Sequence, residues 1–137
     1  MGKCSSSAGP GRAARVARTV KSGRRAGWRR LANAPVAPIM TSDPQGVFRS
    51  DNHAWLFAVA DGRVFHACPN RRMNMYPTSG TGAVQTLGLR ADSGDAMNGN
   101  AVMYDVGKIL TLGGSPAYQD SDATTRAYAI DDNTVSR

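Results

Sequence analysis

Two apolar runs, 55–59 (WLFAV) and 64–67 (VFHA), are separated by Asp61-Gly62. In the first run, Trp55, Phe57 and Val59 alternate with Leu56 and Ala58. Alternation with a period of two is typical of β-strands, and an Asp-Gly pair is a strong hairpin signal. Both faces of the first run are largely apolar, which is typical of a strand buried between packed sheets. The pattern therefore predicts a buried β-hairpin over residues 53–68.

A second pair of apolar runs, 101–104 and 109–112, flanks a polar turn at 105–107 and ends in Gly113-Gly114. This order of a strand, an Asp/Gly turn, a second strand and a Gly-Gly pair is typical of a kelch repeat. The glycines permit positive φ angles and a close approach of neighbouring backbone. Residues 126–130 are predicted to add a third strand to this repeat.

The spacing of the two hairpins sets the predicted architecture. Val64 and Ile109 hold matching places in them and lie about 45 residues apart, within the range of roughly 40–50 for one propeller blade. A closed propeller needs roughly four to eight blades, and this chain has room for about two. We therefore predict an all-β fold, a partial kelch-type β-propeller of about two blades preceded by a disordered basic arm.

The stretches around the hairpins are predicted to be irregular. Residues 28–40 contain Pro35 and Pro38, which interrupt both helices and sheet ladders, so this segment is expected to be an extended connection. Residues 69–90 are expected to be irregular as well, with a weak strand at 84–87.

Charge divides the chain into two parts. Residues 1–42 carry nine Lys or Arg and no acidic residue, whereas residues 43–137 carry eight basic residues against ten Asp, a net charge of −2. Residues 1–27 are mostly Gly, Ser, Ala and Arg, which bury too little apolar surface to offset the entropy of ordering. We predict a disordered basic arm at 1–27 and a propeller segment at 28–137.

Composition bears on the partners and the compartment. Trp28 is the only aromatic residue near the arm, which argues against a nucleic-acid groove, where several stacking platforms are usual. No apolar run approaches a membrane span or the core of a secretory signal, although an acid-free Arg-, Ser- and Ala-rich arm also fits an organellar transit peptide. Cys4 and Cys68 are expected to be unpaired thiols.

Four polar and irregular segments carry a more specific signal: FRSDNHAWLF, DAMNGNAVMYD, KILTLGGSP and YQDSDATT. They resemble, in order, segments of the galactose oxidase family, which are secreted fungal copper-radical alcohol oxidases. The resemblance runs from about Trp28 to Thr134 and covers only a middle part of that family's large propeller domain. It implies a relation to enzymes that oxidise primary alcohols, typically C6 of galactose, to aldehydes while dioxygen is reduced to hydrogen peroxide.

Three residues match positions near the family's active site. Arg49 corresponds to an arginine implicated in holding the sugar hydroxyls, and its planar fork of donors suits a polyol. Tyr118 and Gln119 correspond to a Tyr-Gln pair that lines the copper pocket, where a phenol and an amide can both form hydrogen bonds. The resemblance thus implies Arg49 and Gln119 as substrate-binding residues and Tyr118 as a pocket-lining residue.

The redox centre of the family is not expected in this chain. The resemblance implies a copper ion held by two tyrosines and two histidines, with one tyrosine cross-linked to a cysteine, and all of these lie outside the matching segment. His53 and His66 fall at no ligand position, and His53 is expected to form hydrogen bonds within its loop. We therefore predict no catalytic and no metal-binding residues, and no activity of the chain by itself.

An alternative function remains open at this point. The chain could be a small, non-catalytic kelch-like interaction module whose basic arm binds anions. The expected partners are galactose or another primary alcohol, or the missing propeller segments, and no membrane. Family members are secreted, but this chain shows no signal peptide, so the sequence assigns no location.

Overall fold

The computed structural model describes residues 20–22, 24–41, 54–91 and 94–135 of the chain. These residues fall into two compact units, 1–30 and 31–137. In the smaller unit, β1 (Val20–Ser22) pairs antiparallel with β2 (Arg24–Ala26). The disordered arm predicted for 1–27 lies mostly outside the described residues, and this short pair of strands was not predicted.

The first sheet of the larger unit contains four antiparallel strands in sequential order. They are β3 (Trp55–Val59), β4 (Arg63–Cys68), β5 (Arg72–Pro77) and β6 (Gln85–Leu89). The hairpin predicted around Asp61-Gly62 is confirmed, since Val59 pairs with Arg63 across that turn. Asp61 and Gly62 have φ angles of 61° and 66°, the left-handed conformation that Asp-Gly turns adopt.

The prediction of an irregular stretch over 69–90 was wrong for β5. Its buried apolar residues, Met73 and Met75, are not β-branched, so the residue types give only a weak strand signal. All three side chains at 73–75 are buried, the methionines in the apolar core and Asn74 beside His66 on the neighbouring strand. Residues 72–75 do alternate polar and apolar types, which is a strand signal that the prediction overlooked.

The second sheet contains three antiparallel strands in sequential order, followed by one helical turn. They are β7 (Asn100–Asp105), β8 (Lys108–Leu112) and β9 (Ala127–Asp131), and the turn is α1 (Asp132–Val135). The predicted hairpin, its Gly-Gly ending and the third strand are confirmed. Gly114 has a φ of 84°, and a Cβ there would lie 2.7 Å from the carbonyl carbon of Ala96, so the position requires glycine.

The core lies between the two sheets. It is built from buried residues of the first sheet together with two isoleucines of the second: Phe65, Ala67, Met73, Met75, Ile109 and Ile130. Two packed antiparallel sheets with almost no helix confirm the all-β prediction and fit a partial β-propeller of about two blades. Among the described residues, no helix is long and apolar enough to cross a membrane.

The opposite face of the first sheet is covered by residues 35–40, which include a 3-10 helix, Ala37–Ile39. Asn74 Nδ2 donates to the Pro38 carbonyl oxygen at 3.3 Å, and the Tyr76 hydroxyl donates to the Pro35 carbonyl oxygen at 3.2 Å. The segment predicted as an extended connection therefore packs on the sheet through its carbonyl groups.

The prediction that the first hairpin is buried on both faces holds only for its second strand. Residues 65–68 of β4 are all buried, whereas Leu56 on β3 is 51% exposed. The difference follows from position in the sheet, because β4 is an inner strand and β3 is the edge strand.

Candidate functional site

The sequence-predicted site residues lie in two segments. Arg49 falls within 42–53, outside the described residues, and so does His53, for which only hydrogen bonds within its loop were expected. Tyr118 and Gln119 lie in the segment that follows β8, where Tyr118 is partly buried and Gln119 is exposed. The prediction that Arg49 and Gln119 bind substrate therefore stays a prediction.

Main-chain hydrogen bonds fix both ends of the segment that carries Tyr118. At its start, Ser115 and Met97 exchange two backbone hydrogen bonds of 2.8 and 2.9 Å. At its end, the Thr124 N–H donates to the Gly114 carbonyl oxygen at 2.8 Å. The segment is therefore a closed loop on the second sheet. Its fixed ends restrict the position of Tyr118.

Tyr118 lines a cavity of about 130 Å³ together with residues from three other segments. The cavity residues are Trp55, Pro69, Ala96, Met97, Asn98, Gly99 and Tyr118. Two aromatic rings and an amide can pack against the apolar face of a sugar and form hydrogen bonds with its hydroxyls. The volume is below the roughly 300–1,000 Å³ of small-molecule pockets, so the described residues by themselves do not enclose a pocket of that size.

Trp55 and Asn98 were not singled out from the sequence as site residues. Trp55 opens β3, and Asn98 occupies a turn with a φ of 58°. Both belong to segments that carry the family resemblance, FRSDNHAWLF and DAMNGNAVMYD, which is the signal that could have indicated them.

The donor set of the described residues does not fit a copper ion. His66 is fully buried on β4, with Nδ1 3.3 Å from Nδ2 of Asn74, and burial lowers the pKa of His66 to about 4. Burial raises the pKa of the Cys68 thiol to about 11, so it is protonated at neutral pH. A copper site needs several converging N, O or S ligands, and no group of three His, Cys, Asp or Glu side chains gathers within the described part of the chain.

Comparisons with known proteins identify the relatives of this chain. No family model matches it. Galactose oxidase of Gibberella zeae is 58% identical over 109 residues, which cover 75% of this chain and 16% of that protein. A second galactose oxidase sequence from Gibberella zeae matches equally well.

The fold leads to the same group of enzymes. A solved structure of a novel fungal alcohol oxidase of the AA5 family, in complex with copper, superposes with a TM-score of 0.68 at 42% identity. The match covers 74% of this chain and 21% of that one. This chain therefore spans about a sixth of the length of its curated relatives, and it is a partial propeller segment homologous to galactose oxidase, as the four polar segments of its sequence indicated.

Proposed function

We propose that this chain forms part of the substrate-pocket wall of a galactose-oxidase-type alcohol oxidase and is inactive by itself. The whole reaction would oxidise a primary alcohol, typically C6 of galactose, to an aldehyde and reduce dioxygen to hydrogen peroxide. The observation that carries the proposal is the cavity that joins Tyr118 to Trp55, within a segment 58% identical to galactose oxidase.

Each wall residue has a role that follows from its chemistry. The indole of Trp55 offers a flat apolar surface for the carbon–hydrogen face of a sugar, and the Tyr118 hydroxyl can donate or accept a hydrogen bond. Gln119 is exposed beside it and offers both an amide donor and a carbonyl acceptor. Arg49, by resemblance, would add a planar fork of donors for the sugar hydroxyls.

We expect the chain to be inactive by itself because it lacks the redox centre of the family. A two-electron oxidation at one copper ion requires a second one-electron store, which in the family is the cross-linked tyrosine. His66 is buried and neutral, and no cluster of metal-ligating side chains accompanies it among the described residues. Substrate binding without a redox centre does not lower the barrier of the chemical step.

Peroxide release tests the inactivity. The 137-residue chain with copper, oxygen and galactose is assayed with a peroxidase-coupled dye, beside an Arg49→Ala variant and copper alone. We expect no peroxide above the copper control. Copper-dependent peroxide that is lost in Arg49→Ala would contradict the proposal and require a ligand set within this chain.

A chimera tests the role of the wall. Residues 28–134 of this chain would replace the matching segment of the Gibberella zeae enzyme, which supplies the remaining propeller. Trp55→Ala in the chimera should raise KM for galactose about tenfold, the loss of an aromatic contact of about 1.4 kcal/mol. Tyr104→Ala, which removes an exposed aromatic residue outside the cavity, is the matched control and should leave KM unchanged. Equal effects of the two substitutions would refute the wall assignment.

One observation supports a second candidate function, the non-catalytic interaction module. The second sheet exposes a row of apolar side chains on the face opposite the core: Val102, Tyr104 and Leu112. Exposed apolar rows of this kind are common at protein contacts. Under this alternative, the chimera would release no peroxide, and the wild-type chain would form complexes that Val102→Lys disrupts.

A further inference from the structure

Arg90, which follows β6, is a buried cation held by neutral groups. Its side chain is only 6% exposed. Nη1 donates to the Ala67 carbonyl oxygen at 3.0 Å and Nη2 to the Gly94 carbonyl oxygen at 3.5 Å, and Cζ lies 6.0 Å from the centroid of the Tyr128 ring. A guanidinium group stays protonated in proteins, so this site keeps its positive charge away from water.

Burial of this charge is unfavourable unless an anion compensates it. Desolvation lowers the pKa of Arg90, and Asp95 is among the groups that oppose this effect. Asp95 Oδ1 is also used elsewhere, since it accepts the backbone N–H of Arg71 at 2.9 Å. The carbonyl oxygens that accept from Arg90 are neutral, so compensation of its charge comes through space, from Asp95 among other groups.

A small cleft of about 20 Å³ lies beside Arg90, between the ends of β6, β8 and β9. The polar side chains that line it include Arg90, Asp95, Asn100, Thr111, Arg126 and Tyr128. A space of this size holds one occupant about as large as a water molecule. Phosphate and sugars are too large for it.

The described residues of the lining include a buried hydroxyl without a hydrogen-bond partner and more basic than acidic side chains. Thr111 is 3% exposed, and its Oγ1 has no hydrogen-bond partner among the described residues. Buried hydroxyls without a partner are uncommon and often indicate an ion or a water molecule. Within the described part of the lining, two arginines and one aspartate give a net charge of +1.

We propose that this cleft binds one small monovalent anion of chloride size. Arg90 and Arg126 would supply its countercharge, and Thr111 would donate its hydroxyl hydrogen. A water molecule could accept from Thr111 as well, but it would leave the excess positive charge in place. Because the lining comes from both sheets, the bound anion would stabilise their packing. The inference is independent of the proposed function, since Arg90, Thr111 and Arg126 do not line the Tyr118 cavity, although Ala96 lines both spaces.

The test uses the whole chain and compares chloride with an anion too large for the cleft. Urea unfolding is followed by circular dichroism in sodium chloride and in sodium gluconate at equal ionic strength. Line broadening of the ³⁵Cl NMR signal provides a second readout that does not depend on an unfolding transition. The nine basic residues of 1–42 also attract chloride. The variants are therefore Arg126→Gln and Thr111→Val in the cleft, with Arg72→Gln, an exposed arginine on β5 outside it, as the charge-matched control.

Wild type should show saturable chloride binding and a higher urea midpoint in chloride than in gluconate. Affinity should fall at least about tenfold in Arg126→Gln, since the substitution removes a positive charge and its hydrogen-bond donors from the cleft. It should fall less in Thr111→Val and stay unchanged in Arg72→Gln. Three results would overturn the proposal: no saturable chloride signal, which indicates water only; equal stabilisation by gluconate; or an equal loss in Arg72→Gln.

Discussion

The two sheets of this chain differ in how their faces are covered. The first sheet packs its Phe65 side against the second sheet, and residues 35–40 cover its His66 side. The second sheet buries Ile109 toward the core, whereas Val102 and Tyr104 on its other face are 50% and 57% exposed. The two sheets have similar strand patterns, but their side chains are covered to different extents. The elements that pack on each face therefore decide which residues contribute to stability.

The largest expected effect tests the first sheet, whose inner strands are covered on both faces. Phe65→Ala should destabilise the chain by about 3–5 kcal/mol, because it removes a fully buried ring and leaves a cavity between the sheets. Urea unfolding measures the change. Leu112→Ala on the partly open sheet is the control and should cost less than about 1 kcal/mol, since 43% of that side chain is already exposed. Similar losses at both positions would show that the two sheets do not differ as described.

Acidification should also act on the covered face of the first sheet, through His66. Its folded pKa is lowered to about 4 from 6.5 by burial, so the unfolded chain binds the proton more readily. Stability is therefore fully present above pH 6.5 and is lost as the pH falls toward 4, by up to roughly 3 kcal/mol. Unfolding midpoints measured from pH 7 to 4 provide the test.

His66→Gln is the control for this pH dependence. The variant should show a flatter midpoint over the same range, because glutamine does not titrate. Acidic side chains with lowered pKa values, such as Asp105 beside the Val106 N–H and Lys108, remain in both proteins and contribute equally. A wild-type curve that parallels the variant curve would mean that His66 is accessible to protons in the folded chain.

A smaller effect is expected on the open face of the second sheet. We predict that the isolated chain self-associates, because exposed apolar strands favour contact with other chains. Val102→Lys should weaken association about tenfold, equivalent to about 1.4 kcal/mol, in sedimentation velocity experiments. Val106→Lys adds the same charge at an exposed turn beyond the strand and should change little. A monomeric wild-type chain would contradict the prediction.

The smallest effect is expected from the basic arm. Deleting residues 1–27 should remove most of the non-specific affinity for anions, since seven cationic side chains leave with it. Far-UV circular dichroism should lose no more than the short β1–β2 pair contributes, because both packed sheets lie in residues 31–137. A collapse of the strand signal would show that the sheets depend on the arm.

The outcome at individual residues shows why some elements were predictable and others were not. The predictions of hairpins around Asp61-Gly62 and before Gly113-Gly114 were correct, because alternation and turn residues are local signals. The strand β5 was missed because its buried apolar residues are methionines, which are weak strand signals, and the burial of Asn74 beside His66 depends on the neighbouring strand. Leu56 was predicted to be buried and is half exposed, because edge position is a property of the whole sheet.

The candidate site also has some features that the sequence indicated and others that only the tertiary structure shows. The polar segments of the sequence determined the relation to galactose oxidase and pointed to Tyr118 and Gln119, because irregular polar sequences are specific to a family. Only the tertiary structure placed Trp55 and Asn98 beside Tyr118, since strands and loops distant in sequence meet there. The tertiary structure alone also forms the cleft at Arg90, which brings a buried charge close to the Thr111 hydroxyl, a group without a hydrogen-bond partner among the described residues. Local chemistry follows from residue order, whereas burial and proximity follow from packing, which no short stretch of sequence encodes by itself.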